Sequence, residues 1–251
     1  MTHPDAPKAG GRAFPVTPLS VRRTAAILAA AVAILLAGAR VVSSQDRIVI
    51  QGAASGAHLR LEVRGNHLLV MGHMAHARQR GCHFVRRHKV AACPLAGVGS
   101  IEVDTGPAGD KVEVLGRLPL PLTAYLGPGS DKLIGNGEHD TCYPQGTRRN
   151  RCVGGPGNDV CVSGPGNTDC VGGAGNDYCK MSRGSDGCWG GPGRDLCLMG
   201  KGHDGCHGEG GDDRLYGGPS SDQLYGGAGF DYCDGGPGVG RSHECEAGPR
   251  H

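Results

Sequence analysis

The chain has 251 residues, 47 of them Gly and only ten aromatic (Phe 3, Trp 1, Tyr 6), and its formal net charge is +2. With no long amphipathic helical stretch it cannot rely on a thick aliphatic core, so backbone ladders, cross-links or bound ions must stabilise it. The near-neutral balance hides an asymmetry. Residues 40–125 carry eleven Lys/Arg against six Asp/Glu, whereas residues 126–243 carry ten against fifteen. An acidic second half suits a cation-binding array, and no nucleic-acid partner is expected.

From the N-terminus, Arg22 and Arg23 precede an apolar run, Ala25 to Ala39, ending in Ala37-Gly-Ala39. A basic region, an apolar region and small residues at a cleavage position make a secretory signal peptide over 1–39. The run is short for a membrane span. An uncleaved anchor reaching Val42 past Arg40 is the only membrane attachment the sequence offers. The paired arginines match twin-arginine export weakly. Removal of 1–39 takes four basic and one acidic residue and moves the charge from +2 to −1. An exported chain with twelve cysteines implies an oxidising, extracellular compartment and disulfides.

Residues 40–125 read as a β-rich capping segment. Leu59, Leu61 and Val63 alternate before a Gly65-Asn66 turn, followed by Leu68 to Met71, then Ile101 and Val103, and Val112 and Val114. The stretch Asp104–Val114, with Gly106-Pro-Ala-Gly-Asp110, resembles a degenerate repeat and predicts a solenoid continuing into the following region. Arg78, Arg80, Arg86, Arg87 and Lys89 cluster with His73, His76, His83 and His88. The readings there are a solvated loop or contact with an anionic wall polymer or extracellular polysaccharide. A zinc site from His73, His76, Cys82 and Cys93 has workable ligand types, but its spacing matches no standard module. Cys82 and Cys93 are alternatively a staple, as are Cys233 and Cys245.

Between Leu126 and His243 the chain repeats every nine residues, thirteen times, with a one-residue slip at Pro144. Clear copies are Gly154-Gly-Pro-Gly-Asn-Asp-Val-Cys-Val162, Gly172-Gly-Ala-Gly-Asn-Asp-Tyr-Cys-Lys180 and Gly190-Gly-Pro-Gly-Arg-Asp-Leu-Cys-Leu198. Glycines at positions one, two and four are expected to supply φ > 0, and positions seven to nine a short strand. This block resembles the haemolysin-type (RTX) calcium-binding nonapeptide repeat family, as a secreted, cysteine-rich variant. The resemblance implies an all-β, right-handed parallel β-roll or β-solenoid, with two repeats per coil and several Ca²⁺ held between coils by position-six aspartates and turn carbonyls. Calcium's demand for six to eight oxygens agrees with that donor set.

Sorted by parity, one edge carries Asp140, Asp159, Asp177, Asp195, Asp213 and Asp231 without interruption, giving up to five sites. The other reads Asp131, Asn150, Thr168, Asp186, Asp204, Asp222 and Gly240, giving two sites in its later half, with Asp169 a candidate to rescue a third. Position eight, which points into the core, is Leu133, Cys142, Cys152, Cys161, Cys170, Cys179, Cys188, Cys197, Cys206, Leu215, Leu224 and Cys233. Bridges across the core (Cys161–Cys170 and so on) are favoured. They require the sheets to approach more closely than the usual ~10 Å, since bridged Cα atoms lie roughly 4.4–6.8 Å apart. Bridges along one sheet and free buried thiols are the alternatives.

The expected function is a secreted, non-enzymatic calcium-binding protein, structural or adhesive at the cell exterior. The chain has no H-E-x-x-H and no G-x-S-x-G, and about eighty residues outside the repeats are few for a catalytic domain. The alternatives are an accessory, toxin-like or hydrolase-associated protein of the same family, or a bridged solenoid binding ice or soft metals. An ice-binding face lacks its threonine array. A cleaved N-terminal peptide also departs from the export route of the familiar toxins.

Overall fold

Three-residue strands flanked by glycine turns are too short to stand alone, so they stabilise one another by stacking coil upon coil. A computed structural model describes residues 40–43, 47–52, 55–72, 82–85, 90–238 and 240–248. The signal region at 1–39 lies outside the described residues, as do His73, His76, Arg78, Arg80, Arg86, Arg87, His88 and Lys89.

The described chain is all β, in two sheets. The first sheet contains β1 (Arg40–Ser43), β2 (Arg47–Gln51), β7 (Ser100–Asp104), β9 (Leu122–Gly127) and β11 (Asp140–Pro144) in that order. It continues with β13 (Val160–Val162), β15 (Tyr178–Lys180), β17 (Leu196–Leu198), β19 (Arg214–Tyr216) and β21 (Tyr232–Asp234). In the second sheet, β3 (His58–Arg64), β8 (Lys111–Leu115), β10 (Lys132–Ile134), β12 (Asn150–Pro156) and β14 (Thr168–Ala174) lie side by side. They are followed by β16 (Gly187–Pro192), β18 (Gly205–Gly210), β20 (Gln223–Ala228) and β22 (Arg241–His243). Three antiparallel strands extend that sheet beyond β3: β4 (His67–Met71), β6 (Val90–Pro94) and β5 (His83–Val85).

All pairings from β7 onward in the first sheet, and from β8 onward in the second, are parallel. The register sets the eighteen-residue coil: Cys161 faces Cys179, Cys179 faces Cys197, and Cys170 faces Cys188. The slip at Pro144 lengthens one coil to nineteen residues, so that Cys142 faces Cys161. The solenoid also runs back into the capping segment: Ile101 faces Leu122 and Val112 faces Leu133 across coils of twenty-one residues.

The interior is one continuous column. Ile48, Ile50, Leu59, Leu61, Ile101, Val103, Leu122 and Leu126 fill the N-terminal end, the cysteines fill the middle, and Leu215 and Leu224 follow. The absence of a thick aliphatic core therefore applies to the repeats, where sulfur replaces it.

Turn glycines divide by cause. Most glycines at positions two and four are left-handed, as at Gly155 (φ 113°) and Gly157 (φ 122°), whereas Gly129, Gly164 and Gly166 are not. Position one is not, contrary to the sequence expectation; space, not dihedral angle, dictates glycine there, as the site geometry makes clear. Glu209 occupies position two with φ 75°. An L side chain in that region costs about 1–2 kcal/mol. Glu209→Gly is therefore expected to raise stability by about 1 kcal/mol, read from the thermal midpoint.

Candidate metal centres

Each position-six aspartate ends a turn just before its strand, so its side chain lies along the rim and reaches the neighbouring coil. On the first edge the N–H of Asp140 donates to Asp159 Oδ1 (2.7 Å) and that of Asp159 to Asp177 Oδ1 (2.7 Å). Asp177 donates to Asp195 Oδ1 (2.7 Å), Asp195 to Asp213 Oδ1 (2.8 Å) and Asp213 to Asp231 Oδ1 (2.8 Å). The ladder is unbroken. On the second edge Thr168, Asp186 and Asp204 donate in the same way to Asp186, Asp204 and Asp222 at 2.7, 2.8 and 3.0 Å. The ladder misses one rung between Thr168 and Asn150, whose N–H donates to the Asn167 carbonyl (2.8 Å), and resumes where Asp131 N–H donates to Asn150 Oδ1 (3.0 Å).

These hydrogen bonds use one oxygen of each carboxylate. The other, Oδ2, is buried without a partner in Asp131, Asp140, Asp159, Asp177, Asp186, Asp195, Asp204, Asp213, Asp222 and Asp231. These residues are at most 5 % exposed. A buried oxygen with no donor is costly. Desolvation accordingly pushes the carboxyls up, to about 6 for Asp131, Asp140, Asp159, Asp177 and Asp186, and to about 7 for Asp195 and Asp204. Neighbouring carboxylates push Asp195 and Asp204 further, while the backbone N–H bonds oppose the shift. Asp213, Asp222 and Asp231 are raised for the same leading reason.

Position-one glycine makes room for the second oxygen. A Cβ on Gly190 would overlap Asp195 Oδ2 and stand 2.8 Å from the Gly208 carbonyl of the next coil. Gly172 is related in the same way to Asp177 and the Gly190 carbonyl (2.7 Å). On this edge carboxylate and carbonyl oxygens thus converge on a cradle that glycine leaves open, and the donor set suits a hard divalent cation. The second edge differs here. Its position-one residues include Ser163, Met181 and Met199, and glycine returns at Gly217.

Asp169 does not fill the gap on that edge. It lies one place beyond the rim on the outer face of β14, where Arg149 Nη2 holds its Oδ2 at 3.1 Å. Sequence reasoning missed Asp110 as a rim residue: its Oδ1 accepts from Ala57 N–H, its Oδ2 has no partner, and its own N–H donates to Asp131 Oδ1 (2.9 Å). The degenerate Gly106–Asp110 turn carried that signal. Glu246, which accepts from Asp231 N–H (2.7 Å), had no signal, because it lies outside the nine-residue register.

The core sulfurs are joined across the sheets. Bridges link Cys142–Cys152, Cys170–Cys179 and Cys188–Cys197, with Cα separations of 6.2, 6.5 and 6.6 Å, so the sheets do approach closely where Cys replaces Leu. The pairing differs from the expected Cys161–Cys170 series: Cys170 bonds to Cys179, and Cys161 and Cys206 are free and buried. Cys82–Cys93 and Cys233–Cys245 are bridged as staples. The zinc reading fails with the first of these, since bridged sulfurs are not thiolate ligands. Burial pushes the Cys161 thiol up to about 12 and Cys206 well above the ordinary range. Alkylation of the native protein should therefore label no core thiol, whereas unfolding without reductant should label two per chain, counted by intact mass.

On the outer face of the second sheet, the rings of Trp189, His207, Tyr225 and His243 stack in series at 6.1, 4.6 and 5.0 Å, with planes within 13° of parallel. The four residues lie eighteen apart, at position nine of successive coils, so the parallel register itself stacks them.

Two parallel sheets closed by glycine turns, with carboxylate ladders along the rims, define the class: a parallel β-roll whose rims carry the oxygen donors of a hard cation. The RTX calcium-binding nonapeptide repeat model matches residues 207–240, in four copies. No curated protein and no solved structure matches the chain.

Proposed function

We propose that this is a secreted, non-enzymatic protein whose β-roll holds several calcium ions and serves a structural or adhesive role at the cell exterior. The reading rests above all on the repeated, buried Oδ2 that has no donor yet stands beside a carbonyl of the next coil. The proposed ligands are Asp140, Asp159, Asp177, Asp195, Asp213 and Asp231 on the first edge, and Asp186, Asp204 and Asp222 on the second, with turn carbonyls. Asp131 is the second edge's early candidate. Bound calcium would neutralise the facing carboxylates and lock successive turns together. The protein's own part is to hold Oδ1 by backbone N–H groups, so that Oδ2 is aimed before any ion arrives.

In this reading residues 1–39 are a signal peptide, 40–125 a cap, 126–243 the roll and 244–251 a tail. The cross-core bridges favour an oxidising exterior. They also count against a soft-metal store, which needs free thiolates. The stacked rings of Trp189, His207, Tyr225 and His243 are the face that best supports adhesion, with an extracellular polysaccharide as the partner class.

Calorimetric titration of the oxidised protein is the test. Saturation at several calcium ions per chain, with an accompanying rise in thermal midpoint, is expected; no heat and no shift at millimolar calcium would reject the proposal. N-terminal sequencing of exported protein should begin at Arg40.

A further inference from the structure

The aspartate series of the first edge ends at Asp231. Eighteen residues later the sequence has Pro249, which carries no carboxylate. The intervening segment supplies a substitute. Glu246 Oε2 accepts from the N–H of Asp231 at 2.7 Å, the bond that a position-six aspartate makes at each earlier rung. Glu246 is only fifteen residues on, and its extra methylene makes up part of the shortfall.

A second oxygen arrives independently. Glu244 lies eighteen residues after Gly226 and turns left-handed (φ 54°). Its carbonyl stands against the face of Gly226, the place taken by the Gly208 carbonyl at Gly190 and by the Gly226 carbonyl at Gly208. Between these groups Asp231 is fully buried and its Oδ2 has no partner.

The segment is held on both sides. Glu246 and Ala247 N–H donate to the Asp231 carbonyl at 3.1 and 3.0 Å, and Cys233 N–H donates to the Ala247 carbonyl at 2.9 Å. The Cys233–Cys245 bridge ties the residue before Glu246 to the strand that follows Asp231.

We propose that Asp231, Glu246 and the Glu244 carbonyl form a terminal calcium site on the first edge, and that the Cys233–Cys245 bridge is required for it. The site rests on the calcium-binding reading of the other rungs. It makes the C-terminal tail part of the binding array and couples its last ion to the oxidation state of one disulfide.

The test counts calcium per chain at saturation, by equilibrium dialysis and elemental analysis of the oxidised full chain. Glu246→Gln keeps an oxygen for the Asp231 N–H but removes the charge, and it should bind one ion fewer with an unchanged circular dichroism spectrum. Cys233→Ala/Cys245→Ala should lose the same ion, and combining all three changes should lose no more. Should Glu246→Gln fail to fold, the cysteine pair decides alone. Variants that keep the parent's count overturn the terminal site, whereas a parent chain that binds no calcium overturns the underlying reading instead.

Discussion

In chelator, the thermal midpoint of the oxidised protein should fall as the pH rises from about 4 to about 7, and in saturating calcium the trend should reverse. Seven rim carboxyls rise from an ordinary value of 3.8 to about 6 or 7 in the fold. Between those values the metal-free folded state binds more protons than the unfolded chain, so stability must decrease with pH across that window and level off above it. Each rim carboxyl is thus harder to ionise in the fold than in the unfolded chain, and the cost recurs along both edges. At neutral pH the metal-free roll is thus expected to loosen along its rims, retained by its bridges. Calcium binds the ionised form, so with calcium present acidification removes the ions and stability rises with pH instead. Thermal scans by circular dichroism at several pH values, with and without calcium, check both slopes. A chelated protein more stable at pH 7 than at pH 4 would contradict this account of the rims.

Gly190→Ala should destabilise the roll and cost it calcium at the adjoining gaps. Its Cβ would overlap Asp195 Oδ2 and crowd the Gly208 carbonyl, so it disturbs the two gaps that Asp195 shares with Asp177 and Asp213. Overpacking of this kind costs about 1–3 kcal/mol, and loss of calcium from the adjoining gaps would add to it. Gly205→Ala is the internal control, because a Cβ there meets nothing within 4 Å. It should change stability by less than about 0.5 kcal/mol. The comparison is read from denaturant midpoints in calcium and from the number of ions bound. Equal effects at the two positions would show that the cradle is not what position-one glycine protects.

The coil was legible because a parallel stack has a translational period, and a period survives in one dimension as spacing. Asp159, Asp177 and Asp195 could be placed on one rim from their numbers alone, and Cys161 opposite Cys179 likewise. The antiparallel strands β4, β5 and β6 were less legible, since they lie within one long coil and obey no repeat. Position-one glycine was read as a dihedral requirement, but its cause is an oxygen belonging to a residue five places on. Asp169 misled because an aspartate one place late points to the opposite face of the strand, where Arg149 takes it. Glu246 was hidden for a related reason: it reaches a lattice position from outside the lattice.

The eight core sulfurs from Cys142 to Cys206 form a line, and a line of eight joined only between successive members has a single complete matching. Leaving Cys161 solitary divides it into two and five, and five cannot be matched evenly, so the idle thiol at Cys206 is the other half of the same defect. Such a defect can travel without any oxidant. Attack of the Cys206 thiolate on Cys197 would free Cys188, and attack of Cys188 on Cys179 would free Cys170; each step joins sulfurs already within 4.8 Å of each other. Each exchange would conserve the number of bonds and move only the vacancy, and burial, which keeps the Cys206 thiol protonated, would hold it slow.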